Sequence, residues 1–155
     1  MAKISLAKAL KEKNRLAGQV KELQGLIKAH NSYKDGSNRP FDVEVLMNTM
    51  EGKVRSLISL KAAIQKGNAG IQESLTELAE YKSFIQFLRD MPTTEGEQNV
   101  NRYGDTDKTE KYIAVFGAAV LRETILEKEE EIVRLQDSID EYNATEQINY
   151  QEATY

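Results

Sequence analysis

The residues of this chain whose types and spacing could do chemistry are few, and most of them fall in Asn99–Tyr112, NVNRYGDTDKTEKY. Arg102, Tyr103, Lys108, Lys111 and Tyr112 are gathered there in a span that precedes a helical pattern. If a helix begins near Thr106 or Asp107, its free backbone N–H groups and dipole would favour an anion. Arginine can grip a phosphate and tyrosine can stack on a base. This predicts a candidate site for an anionic, nucleotide-like ligand, opposed by Asp105, Asp107 and Glu110 in the same stretch.

Other constellations dissolve on inspection. There is no cysteine, so disulfides, thiolate metal sites and a Cys nucleophile are excluded. The single histidine, His30, rules out His-pair metal sites, and no Glu stands three residues before it as di-iron carboxylate bundles require. Near the end of a helix it would act as a favourable cation when protonated. Neither GxGxxG nor GxxxxGK[ST] occurs. The acidic run Glu127–Arg134, EKEEEIVR, reads as a solvated helix face, and DGSN after Lys34 as a turn lacking the spacing of a calcium loop. No nucleophile–base pair or metal set can be assembled, so the chain is expected not to be an enzyme and to carry no cofactor or metal.

The elements that must position these residues are helical. The 155 residues fit one domain, with 40% hydrophobic and 30% charged residues, no Trp and two Pro. Leu6, Leu10, Leu16, Val20, Leu23 and Ile27 follow helical spacing, with the stem of Lys13 filling one gap. Asp42 is a good N-cap for a second helix, with Phe41 placed to staple against it. From Val43 the steps to Met47, Met50, Val54, Leu57, Lys61 and Ile64 alternate four and three, a coiled-coil seam. The count continues through Asn68, Ile71, Leu75, Leu78, Lys82 and Ile85, while Phe84, Ile85, Phe87 and Leu88 widen the apolar face. Gly67 and Gly70 nevertheless cost about 2 kcal/mol together inside a helix, and Lys66-Gly67 looks like a last turn with its closing glycine. A chain reversal at Gly67–Asn68 is therefore expected. The polar stretch 93–108 reads as a long loop. KYIAVFGAAVL (Lys111–Leu121) could locally pass for a strand. A third seam, Leu121, Ile125, Lys128, Ile132, Leu135, Ile139 and Tyr142, argues instead for one helix, in which Ala114, Gly117, Ala118 and Ala119 would let a neighbour pack closely.

The predicted fold class is all-α, an antiparallel bundle of four main helices at about 4–31, 42–66, 70–90 and 107–143, possibly elongated, in one domain over 1–143. A polar tail over 144–155 follows, with Ile148 and Tyr150 free to dock on a partner. Narrow seams of this kind often continue into a second subunit, so a homo-oligomer, most simply a dimer, is expected.

Leu6-x-x-Ala9-Leu10 followed by Leu16 resembles the opening helix of the septicolysin-like family of small helical bacterial and phage proteins. Leu57-Ile58, Ile64 and Asn68 resemble a stretch that closes a later helix in that family. The resemblance implies a turn after Gly67. It implies no mechanism, because the family has no established catalytic residues.

Charge is unevenly placed: residues 1–39 carry nine Lys/Arg against three Asp/Glu, and residues 40–155 twelve against twenty-two. A basic first helix against acidic later ones accounts for this better than nucleic-acid binding, because no aromatics interleave with the lysines. No signal peptide and no run of about 18 apolar residues is seen, so the expectation is a soluble cytoplasmic protein without membrane contact, or a virion component if phage-encoded. The leading expectation for function is a non-enzymatic structural or interaction protein, presenting helical faces and a loop to an unknown protein partner. Ligand sequestration around Arg102–Tyr112 is the alternative.

Overall fold

The structure, a computed structural model, describes residues 2–100 and 108–150. It is mostly helical, in the order β1 (Ala2–Ser5), α1 (Leu6–His30), α2 (Val43–Gly67), a short 3-10 segment (Asn68–Ile71), α3 (Gln72–Asp90), β2 (Gly96–Asn99), β3 (Thr109–Tyr112), α4 (Ala118–Thr145) and β4 (Gln147–Tyr150). The strands form two antiparallel pairs, β1 with β4 and β2 with β3, which the all-α prediction omits. By its internal contacts the chain divides into two compact units, Met1–Gln72 with Ile139–Tyr155, and Glu73–Ser138. No helix among the described residues is long and apolar enough to cross a membrane.

The first unit is built on α1 and α2. Ser5 caps α1, its hydroxyl accepting from the Lys8 N–H at 3.2 Å. Asp42 caps α2 as its sequence position predicts, accepting from the N–H groups of Glu44 and Val45. The Phe41 ring, just before α2, meets His30 at 4.9 Å between centroids. Between the helices, Gly36 takes a φ of 77° and the Ser37 N–H donates to the Lys34 carbonyl, the turn that Asp-Gly chemistry predicts.

The apolar seam of α1 is turned inward as its spacing implies, with Leu6, Leu16, Val20 and Ile27 buried and Leu10, Lys13 and Leu23 half-buried. That of α2 is not. Its buried stripe is Gly52, Ser56, Leu60 and Ile64, in steps of four, and of the expected 4-3 seam only Ile64 is buried. Met47 and Lys61 are exposed. A count of apolar side chains overlooks Gly52 and Ser56, which lie on the buried stripe of α2. Leu6, Ala9, Leu16, Leu60 and Ile64 form one cluster, placing the start of α1 beside the end of α2.

The same cluster takes in Ile148 and Tyr150 of β4. The expected polar tail is therefore a strand for part of its length, registered Ala2 to Tyr150, Lys3 to Asn149, Ile4 to Ile148 and Ser5 to Gln147. Alternation explains the outcome: Ile148 and Tyr150 are two apart, share one face of a strand and point together into the core. They are occupied within the chain rather than left for a partner. The segment 151–155 lies outside the described residues.

The chain does not reverse at Gly67–Asn68. Gly67 has φ −63° and ψ −31°, Asn68 −74° and −6°, and Gln72 −59° and −38°, all right-handed helical values. A closing glycine would be left-handed, and among the described residues only Gly36 and Gly96 have positive φ. The backbone tightens for one 3-10 segment and resumes as α3. The glycines serve close packing. A Cβ on Gly67 would lie 2.7 Å from Ile148 Cγ2 and 2.9 Å from Leu6 Cδ2, and one on Gly70 would lie 2.5 Å from the Tyr142 hydroxyl.

In the second unit, Leu78, Ile85 and Leu88 of α3 and Leu121 of α4 are buried. Arg89 pairs with Glu129, and Lys128 Nζ lies 4.9 Å from the centroid of the Tyr81 ring. The α4 seam is inward as predicted, each of its seven positions being buried or half-buried. Phe84 and Phe87, expected on the inner face of α3, are instead exposed and stack on each other with centroids 6.3 Å apart.

Candidate functional site

The stretch expected to hold an anion forms a β-ribbon. Gly96 enters it with φ 83°, a value that suits glycine alone. From there β2 and β3 pair in the register Gly96 to Tyr112, Glu97 to Lys111, Gln98 to Glu110 and Asn99 to Thr109. The Val100 N–H donates to the Lys108 carbonyl at 3.0 Å, extending the ladder one step beyond them. Thr109, Tyr112, Ile113, Val115 and Phe116 are strand formers, and their density prevails over the helical seam that begins at Leu121.

This corrects the expected helix from 107. Helix α4 begins at Ala118, so Lys108, Lys111 and Tyr112 lie on or beside a strand and not at a helix N-terminus. All three are exposed. Arg102 and Tyr103, together with the expected caps Thr106 and Asp107, lie outside the described residues. Lys111 stands opposite Glu97 in the register of the ribbon. The Tyr112 hydroxyl donates to Glu110 Oε2 at 3.2 Å, and holding this proton beside a carboxylate raises the phenol above its ordinary pKa. The carboxylates make the ribbon a mixed-charge surface, poorly suited to a phosphate.

Elsewhere among the described residues, neighbouring side chains are the largest cause of the shifts at Glu12 and Tyr81. The Arg15 guanidinium hydrogen-bonds Glu12 and lowers its carboxyl pKa, and the Glu77 carboxylate beside Tyr81 raises that phenol. The acidic run on α4 is a partly paired, solvated face: Arg134 Nη1 donates to Glu131 at 3.0 Å, and Glu129 pairs with Arg89. No cluster of three potential metal ligands occurs among the described residues.

What sequence reasoning missed is an exposed apolar segment directly after β3. Ile113 is 80% exposed, Val115 90% and Phe116 56%. The small residues Ala118 and Ala119 beyond it, expected to receive a neighbouring helix, are exposed as well. A shallow groove of about 410 Å³ runs beside them, floored by Leu88, Met91, Leu121 and Ile125 and edged by Arg122 and Glu129. The signal was present in KYIAVF, whose β-branched and aromatic residues favour extended backbone over helix.

No protein-family model matches the chain, and no curated relative matches it. Among solved structures, the chain resembles one described as a functionally unknown conserved protein from Corynebacterium diphtheriae. That likeness has a TM-score of 0.75 at 18% identity and covers 96% of this chain and 100% of the other. At that identity what is shared is the fold.

Proposed function

We propose that this protein works without catalysis, as an interaction protein that offers the surface of the second unit to another protein chain. The observation that carries this reading is the run Ile113, Val115, Phe116, whose side chains stand in solvent just before Ala118, which lines a groove with Leu88, Met91 and Leu121. Burying apolar area of this kind on association contributes about 25 cal/mol per Å², and contiguous exposed apolar patches rimmed by charge mark contact surfaces. The ligand-sequestering alternative loses its main support with the helix N-terminus it needed.

Site-specific photo-crosslinking tests the reading. A photoreactive residue at Val115 is expected to capture a discrete protein adduct in the native cell, and one at the exposed Ile58 of α2 is not. Equal, diffuse labelling from both positions would overturn it.

A further inference from the structure

Among the described residues, the outer edge of β3 pairs with no other strand, and its side chains match a second copy of themselves. A two-stranded ribbon by itself is at best marginally stable in water. Here each strand's substantial contacts are with the other, and all four residues of β3 are exposed. The Val100 to Lys108 hydrogen bond fixes which backbone groups face where. Residues opposite one another in an antiparallel pair alternate between exchanging hydrogen bonds and turning away. Lys108, Glu110 and Tyr112 therefore aim their backbone groups at β2, and Thr109 and Lys111 aim theirs outward, at the free edge.

Parity restricts the registers in which a second β3 can pair with this edge, because only outward residues can exchange hydrogen bonds with outward residues. A two-fold pair centred on Lys111 would set lysine against lysine. Centred on Glu110, it would set glutamate against glutamate. Centred on Thr109, it sets threonine against threonine, and Lys108 of each copy against Glu110 of the other. Opposite charges and Thr–Thr pairs directly across strands are favourable, whereas like charges are not. Lysines on an edge ordinarily discourage pairing, but in this register Lys108 meets a carboxylate.

We propose that two copies of this chain associate through their β3 edges, antiparallel and centred on Thr109, to give a four-stranded sheet in the order β2-β3-β3-β2. The interface is isologous, as a closed dimer requires. It deepens the interaction reading by naming a second copy as one partner, and it sets the two Ile113–Phe116 segments close to the dimer seam. It also moves the expected self-association from the helical seams to the ribbon.

Sedimentation equilibrium of the full chain tests this by charge exchange. Wild type is expected to dimerise. Lys108→Glu and Glu110→Lys should each weaken the dimer tenfold or more, on the order of 1.4 kcal/mol. Mixing the two variants should restore a dimer of one copy each, because every pair is then opposite in sign. Thr109→Pro, which deletes an outward N–H and no bond to β2, should abolish pairing while circular dichroism keeps the helical signal. A wild-type chain that stays monomeric, or a dimer indifferent to both single variants, overturns the proposal. Specific crosslinking from Val115 to a different protein would leave the interaction reading standing in that event.

Discussion

The Tyr142 hydroxyl donates a hydrogen bond to the backbone carbonyl of Gly67, 3.0 Å away, and its ring lies over Gly70 where a side chain would otherwise be. One tyrosine near the end of α4 thus accounts for the second glycine of a pair that reads, from sequence, as a chain reversal. The carbonyl it holds is at the step where α2 gives way to the 3-10 segment.

Gly70→Ala is therefore expected to destabilise the protein despite alanine's better helix propensity. The propensity gain is about 1 kcal/mol. The new Cβ would sit 2.5 Å from a hydroxyl that is already hydrogen-bonded. Overpacking of this sort costs about 1–3 kcal/mol, so a net loss of about 1 kcal/mol is predicted. In a Tyr142→Phe background the hydroxyl is gone, and the loss should shrink by about 1 kcal/mol. Urea titration of the four proteins in a double-mutant cycle measures this coupling. Strict additivity would show that the contact is not formed.

Ser56→Ala should stabilise the protein. Ser56 is buried on the α2 stripe, and its Oγ has no hydrogen-bond partner. A buried hydroxyl without a partner costs about 1–3 kcal/mol on mutational scales, and alanine is also the better helix former. A gain of about 1 kcal/mol is expected in thermal unfolding. A loss would mean that the hydroxyl is satisfied in solution.

Glu12→Gln should lower stability slightly at neutral pH and not at all in acid. The Arg15 side chain donates to Glu12, Nε at 2.9 Å from Oε2, and holds the folded carboxyl pKa below its unfolded value. The contribution is therefore fully present above the unfolded pKa of about 4.3 and is lost as pH falls through the folded one. The pair is solvent-screened, so its worth is at most about 0.5 kcal/mol. Wild type and variant should differ from pH 7 to about pH 5 and converge below about pH 3. A difference that grew in acid would reverse the assignment.

Long periodic segments were legible in the sequence because periodicity reports burial directly. The seams of α1 and α4, and Asp42 as a cap, lie where their patterns imply. Glycine was the hardest residue to read. Gly67 and Gly70 permit a turn or a close approach equally well, and only the position of Leu6, Tyr142 and Ile148 decides between them. Gly52 and Ser56 carry no hydrophobic signal yet sit on the buried face of α2. The β1–β4 pair joins residues from opposite ends of the chain, which no local pattern records. For the candidate site, Lys108, Lys111 and Tyr112 lie in an exposed stretch. The element beneath them was misjudged, because KYIAVF was read together with the helix that follows it.

Two β-branched apolar residues of the C-terminal half make the sharpest contrast. Ile148 is packed into the core beside Leu6 and Gly67, whereas Val115 is 90% exposed. Ile148→Ala should cost about 2–4 kcal/mol, from lost burial and the cavity left behind. Val115→Ala should stay within about 0.5 kcal/mol, as exposed substitutions do. Hydropathy alone ranks the two changes as near equals, so only the fold separates them. Chemical denaturation of both variants measures the difference. Equal small effects would mean that β4 is not docked on the helices in solution, and equal large effects that Val115 is covered within the monomer. If Val115 is instead covered by another chain, its substitution should leave monomer stability unchanged and weaken association alone.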